Sequence, residues 1–343
     1  MLTVLENCRV SPPPATVGDK SLPLTFFDTV WLLFFPINQI FFYEFPHPKS
    51  YFLETIVPKL KHSLSITLQH FFPFAGNLIC HKFYPLVPLL GQETKVSDYV
   101  TIPLFSVQVT LFPNKGIAIG LTNHHCLCDA STRFNFLKAW TSIAKHGTDE
   151  LFLASGSLPF YERVIEYPES LEEIYFNQPG IETIDEGYEI PHLVGGTDKA
   201  RATLVLTQAA INRGVCLYVE LHSESACSNR RTRGDDVERF ICPVDWRSRI
   251  HPPLPPTYFG NCVGPCISTL TKRSLLAGNK GFQTAAEVFG KALSETLNNK
   301  DALLNDAETW LERAYEPVPM IGVWDPKDEG LRYRFWMGEA EKA

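Results

Sequence analysis

The sequence predicts an α/β protein built from two domains. Its 343 residues are 45% hydrophobic and 20% charged, which is enough apolar material to bury a large core in more than one domain. The 24 Phe and 26 Pro residues indicate a loop-rich α/β protein rather than a helical bundle. The segment from residue 107 to residue 147 supports the same class, because an alternating strand pattern there gives way to a helical one.

A β-hairpin is predicted on either side of the turn Pro113-Asn-Lys-Gly116. Residues 107–111 alternate apolar and polar side chains, and residues 117–122 alternate apolar side chains with small or polar ones. Continuing this two-residue period beyond the second strand places His125 on the same face as the apolar residues.

An amphipathic helix is predicted after the hairpin. Asp129 is a residue type that favours helix N-caps, and His146-Gly147 is a signal for a helix end. Between them, apolar side chains recur at helical spacing: Phe136, Trp140 and Ile143. His125 therefore lies at the end of a strand and Asp129 at the start of a helix.

Two apolar stretches precede the hairpin. Residues 30–45 are very apolar but short, and Pro36 interrupts them, so they predict a core helix or the wall of a hydrophobic pocket rather than a membrane span. Ser50 is the expected cap of a second helix, in which Pro58 marks a kink or a late start.

The C-terminal half offers three predicted elements. Residues 189–197 have the Gly and Pro content of a linker between domains. Residues 201–206 predict a strand that opens the second domain, and residues 282–293 predict an amphipathic helix.

Charge and cysteine usage limit the partners and the compartment. The net charge of −7 and the pI of about 5.8 provide no basic field that would favour nucleic acid. The spacing of the nine cysteines indicates no disulfide framework, and the N-terminal residues do not resemble a secretory leader. We therefore expect reduced thiols in the cytoplasm. We expect a monomer with no membrane partner.

His125 and Asp129 are the candidate chemical residues. Imidazole titrates near neutrality, which suits a general base that must release its proton again. An isolated His-x-x-x-Asp spacing is common, so a purely structural pair stays open at this point. Zinc held by His124, His125, Cys126 and Cys128 would need a second ligand cluster, and none stands at suitable spacing. We therefore expect no metal.

Several motifs, in order along the chain, resemble those of the plant BAHD acyltransferases. The motifs are Phe72-Pro-Phe-Ala-Gly76, His125 to Asp129, Val244-Asp-Trp-Arg247 and Tyr258-Phe-Gly-Asn-Cys262. The matching stretches are residues 21–77, 86–213 and 235–320. The motif at Tyr258 is typical of the branch that acylates flavonoid and anthocyanin glucosides, many members of which use malonyl-CoA.

This resemblance implies an architecture. It implies two chloramphenicol-acetyltransferase-like domains, each a mixed β-sheet with flanking helices, and an active-site channel between them. Residues 1–195 would form the N-terminal acyltransferase domain, which carries His125 and Asp129, and residues 196–343 the C-terminal one.

The resemblance also implies a reaction and the roles of individual residues. An acyl-CoA, as cosubstrate and without a cofactor, would pass its acyl group to a sugar hydroxyl of a flavonoid, anthocyanin or other phenolic glucoside. His125 would act as general base, and Asp129 would pair with Arg247 or Arg249. Arg133 would bind the free carboxylate of a malonyl donor, although an ion pair with Asp129 one helical turn away is the alternative.

The chain lacks the family's Asp-Phe-Gly-Trp-Gly motif near the C-terminus, but a one-base shift of the reading frame restores it. Trp336-Met337-Gly338 must be encoded TGG ATG GGN, which gives Gly-Trp when read one base later, and permitted codons extend this to the full motif. Residues 216–222 permit a family-like sequence by the same shift, and relatives carry more chain near Phe83 and after Arg213. We therefore expect a frame shift and an incomplete C-terminal domain.

Three interpretations of the function remain open. The first is an active transferase with malonyl-CoA as the favoured donor and hydroxycinnamoyl-CoA as the alternative. The second is a catalytically inactive, truncated acyltransferase remnant. The third is a hydrolase that uses His125 with a cysteine such as Cys126, which the lack of a nucleophile elbow in the sequence disfavours.

Overall fold

The structure is a computed structural model, and it describes most of the chain up to residue 323. The described residues are 3–32, 36–80, 94–96, 99–176, 219–221, 236–276, 281–298, 307–315, 318 and 320–323. The predicted linker at 189–197 and the predicted strand at 201–206 lie outside the described residues. The division of the chain near residue 195 therefore stays a prediction.

Among its described residues, the N-terminal half contains two three-stranded antiparallel sheets. The first sheet has the order β1-β6-β5 and the second β2-β4-β3. Their strands are β1 (Ile37–Glu44), β2 (Asn77–Cys80), β3 (Thr94–Val96), β4 (Tyr99–Pro103), β5 (Phe105–Phe112) and β6 (Gly116–Asn123). The predicted hairpin is confirmed, because β5 and β6 pair antiparallel around the turn before Gly116.

The C-terminal half contains a mixed sheet. Strand β8 (Val237–Asp245) pairs antiparallel with β9 (Val263–Ile267) and β10 (Thr271–Lys272), and parallel with β11 (Met320–Val323), which in turn pairs with β7 (Val219–Leu221). Within the described residues, strands and helices thus form the predicted α/β class.

Helices pack beside these sheets. They are α1 (Phe26–Thr29), α2 (Lys49–Tyr51), α3 (Val57–His70), α4 (Ala130–His146), α5 (Glu150–Ala154), α6 (Glu169–Phe176), α7 (Arg273–Leu276), α8 (Gly281–Asn298) and α9 (Trp310–Tyr315). Short 3-10 turns span Phe72–Ala75, His125–Leu127 and Ala307–Thr309. The predicted helices after Asp129 and around residues 282–293 are confirmed as α4 and α8.

Two predictions about the N-terminal half are wrong. Of the two alternatives for residues 30–45, the core helix is wrong, because α1 ends at Thr29 and β1 occupies residues 37–44 with alternately half-buried and exposed side chains, whereas the pocket wall stays a prediction. Ser50 is not a cap, since the helix begins at Lys49 after Pro48. A π-helical turn, Phe52–Ile56, joins α2 to α3 just before Pro58, which lacks the N–H that a regular helix would require there.

The described residues bury two hydrophobic cores. The first core joins α3, α4 and the β1-β6-β5 sheet through side chains such as Phe74, Phe136 and Trp140. The second core lies on β8 and β9 and includes Trp246 and Trp310, but it also takes in Phe26 and Phe27 of α1. Helix α1 therefore belongs to the second core although it stands early in the chain. No helix among the described residues is long and apolar enough to cross a membrane.

Candidate active site

The loop between β6 and α4 carries the candidate histidine. Strand β6 ends at Asn123, and His125 begins a 3-10 turn, so the predicted continuation of the strand period to His125 is wrong. The buried ring of His124 accepts a hydrogen bond from the backbone N–H of Cys126 at 3.2 Å through Nδ1. Asp129 then starts α4 by accepting a hydrogen bond from the Thr132 N–H at 3.0 Å.

Asp129 and Arg247 form a two-point ion pair. Nη1 of Arg247 lies 2.8 Å from Oδ2 of Asp129, and Nη2 donates to Oδ1 at 3.0 Å. The same carboxylate accepts a hydrogen bond from the backbone N–H of Cys262 at 3.0 Å. Because Asp129 is only 2% exposed and Arg247 only 3%, neighbouring polar groups replace the water that each charge would otherwise bind.

Arg249, the other predicted partner of Asp129, lies at the surface. Its Nη1 donates to the backbone carbonyl of Asp245 at 3.0 Å. Arg247 extends inward instead and also donates to the carbonyls of Tyr258 and Gly260 at 3.3 and 3.1 Å. Of the two candidates, the structure brings Arg247 to Asp129.

The Tyr258–Cys262 segment reaches the candidate histidine through Asn261. Nδ2 of Asn261 donates to the backbone carbonyl of His125 and to Oδ1 of Asp28, both at 3.0 Å. The backbone N–H of Asn261 donates to the same Asp28 oxygen at 2.9 Å. Asn261 thereby links the histidine loop to the start of α1.

Gly260 permits this approach of the chain. Its φ is +121°, a conformation that residues with a Cβ rarely adopt. A Cβ at this position would lie 2.9 Å from Nη1 of Arg163 and 3.3 Å from Oδ1 of Asp28. Nη1 of Arg163 donates to the hydroxyl of Tyr258 at 2.7 Å and to the backbone carbonyl of Phe259, so displacing the guanidinium would break these hydrogen bonds.

The imidazole of His125 is held against Trp31. The ring centroids are 3.8 Å apart and the planes differ by 9°, so the two rings stack face to face. Burial, with a smaller contribution from Arg133, lowers the pKa of His125 to about 4, although Asp129 and Asn261 oppose the shift. Burial and the neighbouring His125 likewise lower the pKa of His124 to about 4. Both rings are therefore neutral at pH 7.

Arg133 lies on the buried side of α4. Its Nη2 is 3.4 Å from the backbone carbonyl of Leu121 in β6, and its own backbone N–H donates to the carbonyl of Asp129 at 3.0 Å. Its charge is close enough to His125 to influence the titration of the imidazole. A positive charge so close to His125 can attract an anionic group to the histidine.

Sequence reasoning missed Asp28 and Trp31, and it included Asn261 in the motif at Tyr258–Cys262 without assigning it a role. The spacing Thr25-x-x-Asp28 was a usable signal, since the N–H and hydroxyl of Thr25 donate to the Asp28 carboxylate at 2.9 and 3.0 Å in the manner of a helix start. Among the described residues, no group of three or more His, Cys, Asp or Glu side chains is placed to hold a metal ion.

Comparison with known proteins identifies a family for this chain. A family model described as the transferase family matches residues 1–84 and 80–156. A malonyl-coenzyme A:anthocyanin 3-O-glucoside-6''-O-malonyltransferase of Dahlia pinnata is 42% identical over 99% of this chain and 87% of its own length. A coumaroyl-CoA:anthocyanidin 3-O-glucoside-6''-O-coumaroyltransferase of Arabidopsis thaliana is 29% identical over 90% of this chain and 80% of its own.

A solved structure supports the fold. The crystal structure of vinorine synthase superposes with a TM-score of 0.54 over 91% of this chain and 80% of the other, at 17% identity. This likeness confirms the predicted α/β fold with chloramphenicol-acetyltransferase-like domains.

Proposed function

This chain belongs to the BAHD family of acyltransferases. We propose that the protein translated in the restored reading frame transfers an acyl group, malonyl by preference, from coenzyme A to a sugar hydroxyl of a phenolic glucoside. Flavonoid and anthocyanin glucosides are the proposed acceptors. The observation that carries the proposal is the position of the His125 imidazole, which stacks on Trp31 where the histidine loop, α1 and the Tyr258–Cys262 segment meet.

In the proposed reaction His125 is the general base. It takes the proton from the sugar hydroxyl as the oxygen attacks the thioester carbonyl, the carbon–sulfur bond then breaks, and the imidazolium returns the proton to the departing sulfur. With its pKa lowered to about 4, the ring is unprotonated at physiological pH, which is the state in which a general base accepts a proton, and it is a weaker base than a free imidazole. Asp129 holds the loop through Arg247 and does not exchange protons with substrate.

Arg133 is the proposed determinant of the donor. A guanidinium can bind the free carboxylate of malonyl-CoA through two parallel hydrogen bonds, which a coumaroyl group cannot offer. We expect Arg133→Gln to lower kcat/KM for malonyl-CoA by about tenfold more than kcat/KM for coumaroyl-CoA. Arg249→Gln, at the surface, is the matched control. An equal fall for both donors would favour the ion pair with Asp129 instead.

To test the proposal, the frame-restored protein is incubated with malonyl-CoA or coumaroyl-CoA and an anthocyanin 3-O-glucoside. The acylated glucoside is then measured by mass spectrometry. Hydroxycinnamoyl-CoA is the second candidate donor, because the coumaroyltransferase relative uses that class. Exclusive hydrolysis of the thioester, without acylated glucoside, would favour a hydrolase over a transferase.

The 343-residue chain itself is proposed to be inactive. Residues 324–343 lie outside the described residues, and their sequence supplies no Asp-Phe-Gly-Trp-Gly motif. We expect a protein translated in the shifted frame through Trp336 to acylate the glucoside, and the chain as written to show little or no turnover. Robust acyl transfer by the unaltered chain would contradict the frame-shift hypothesis.

The setting of the reaction is proposed on chemical grounds. Acyl-CoA enters as cosubstrate, and the proton transfers assigned to His125 need neither a metal nor a cofactor. The buried cysteines Cys128 and Cys262 form no disulfide, which fits a reducing compartment such as the cytoplasm. We propose a monomer there, and a molar mass near 38.7 kDa in light scattering would agree with it.

A further inference from the structure

Trp31 follows directly on the short helix that anchors the histidine loop. The N–H of Trp31 donates to the carbonyl of Asp28 at 3.1 Å, which continues the turn of α1. Asp28 is 1% exposed, and Asn261 connects it to the carbonyl of His125. One short segment therefore holds His125 in two ways, through its backbone and through its ring.

The stacked contact covers one face of the imidazole. With centroids 3.8 Å apart and planes within 9°, no water molecule fits between the two rings. The parallel arrangement also fixes the torsion of the histidine side chain, because rotation of the ring would drive it into the indole. A ring that must collect a proton from a bound hydroxyl needs this kind of fixed plane.

We propose that Trp31 is a positioning residue for His125, whose indole fixes the plane of the imidazole and excludes water from one side of it. The inference deepens the proposed function, since it concerns the proposed general base.

Other groups near His125 also bear on its protonation. On α4 these are the carboxylate of Asp129 and the guanidinium of Arg133, and beyond Asn261 lies the carboxylate of Asp28. His124 is the neighbouring imidazole. Removing Trp31 leaves all of these in place. A change in the pKa of His125 in this variant is then caused by the loss of the indole that covers one face of the imidazole.

The test uses NMR of the complete chain labelled in its ten histidines, with His125→Gln identifying the signal of interest. Protons that lie over an aromatic face are shielded, so the ring C–H signal of His125 should appear upfield in the natural chain. Between about pH 5 and pH 8 it should not titrate, because its pKa is about 4.

Trp31→Ala should remove the upfield shift and raise the midpoint of His125 by roughly one pH unit or more, because water reaches the ring. Trp31→Phe should keep part of both effects. Trp140→Phe is the matched control, since Trp140 is a buried tryptophan of the first core that donates to Ser63 instead. It should leave the His125 signal unchanged.

An unshielded His125 signal in the natural chain, or an unchanged midpoint in folded Trp31→Ala, would overturn the inference. If Trp31→Ala unfolds, the His125 chemical shift in the natural chain and in Trp31→Phe still tests the inference. In the frame-restored protein, Trp31→Ala should lower kcat about 10- to 100-fold with little change in KM. Because the NMR readings need no turnover, failure of the proposed function would appear separately, as absent acyl transfer with the ring contact intact.

Discussion

Asp129 and Arg247 are 118 residues apart in the sequence, yet their side chains form a buried two-point ion pair at 2.8 and 3.0 Å. Asp129 opens α4, whereas Arg247 follows the end of β8. The backbone N–H of Cys262 donates to the same carboxylate. The Asp129 carboxylate therefore connects three of the sequence motifs, those that contain Asp129, Arg247 and Cys262. The pair therefore organises the site without lying on the path of the proposed proton transfer.

Replacing both partners of this pair should cost less than the two single losses added together. Asp129→Ala leaves the Arg247 guanidinium buried without its countercharge, and we expect a loss of about 3–5 kcal/mol in the free energy of unfolding. Arg247→Met should cost a similar amount, and the double variant clearly less than the sum. Urea unfolding of the four proteins measures the coupling.

Arg249→Ala is the control for the ion pair, because Arg249 lies at the surface two residues further on. Its free energy of unfolding should stay within about 0.5 kcal/mol of the natural chain. Additive losses in the double variant would show that Asp129 and Arg247 do not depend on each other.

Gly260→Ala should destabilise the protein by about 1–3 kcal/mol through backbone strain alone, and by more if Arg163 is displaced. The added Cβ lies 2.9 Å from Arg163, and the φ of this residue is also unfavourable for any side chain. Gly147→Ala separates the two effects, since Gly147 also has a positive φ of 77° but open space around it. Equal losses of unfolding free energy in the two variants would contradict the tight contact at Gly260.

The stability of the protein should fall as the pH drops from about 6.5 to about 4. His124 and His125 have pKa values lowered to about 4 in the folded chain, whereas an unfolded histidine titrates near 6.5. Over this window the unfolded chain binds more protons, so the free energy of unfolding rises with pH, by about 1.4 kcal/mol per pH unit for each ring.

The contribution of one ring can be isolated by difference. Urea unfolding of the natural chain and of His125→Gln, at pH 5 and pH 7, should give a smaller pH effect in the variant. Parallel pH curves for the two proteins would mean that His125 titrates normally in the folded state.

Local patterns explain what the sequence could predict. The hairpin of β5 and β6 and the helix α4 each carry their own signals, such as the cap at Asp129 and the left-handed Gly147 at the helix end. Strand β1 hides its period because apolar residues occupy both faces: Phe41 packs on the first core, whereas Phe42 on the opposite face is 71% exposed. An alternation that is apolar on both sides cannot be distinguished from a buried helix.

The candidate site was predictable only in part. His125, Asp129 and Arg247 stand in motifs that can be read in the sequence, but a motif does not say which arginine meets the carboxylate. Trp31 and Asp28 lie about a hundred residues before His125 and meet it only through tertiary packing. The sequence does not predict their contribution, because no local spacing connects α1 with the histidine loop.

Replacing His125 should separate chemistry from stability. In the frame-restored protein, His125→Ala should lower kcat about 10²- to 10⁴-fold, which is the usual contribution of a general base. The fold should persist, because Asn261 binds the backbone carbonyl of His125, which alanine retains. Asp129→Asn should instead lower the thermal midpoint together with activity, since it weakens the pair with Arg247. Steady-state kinetics and thermal unfolding of both variants make the comparison, and equal losses of stability with no specific loss of kcat at His125 would identify the histidine as structural.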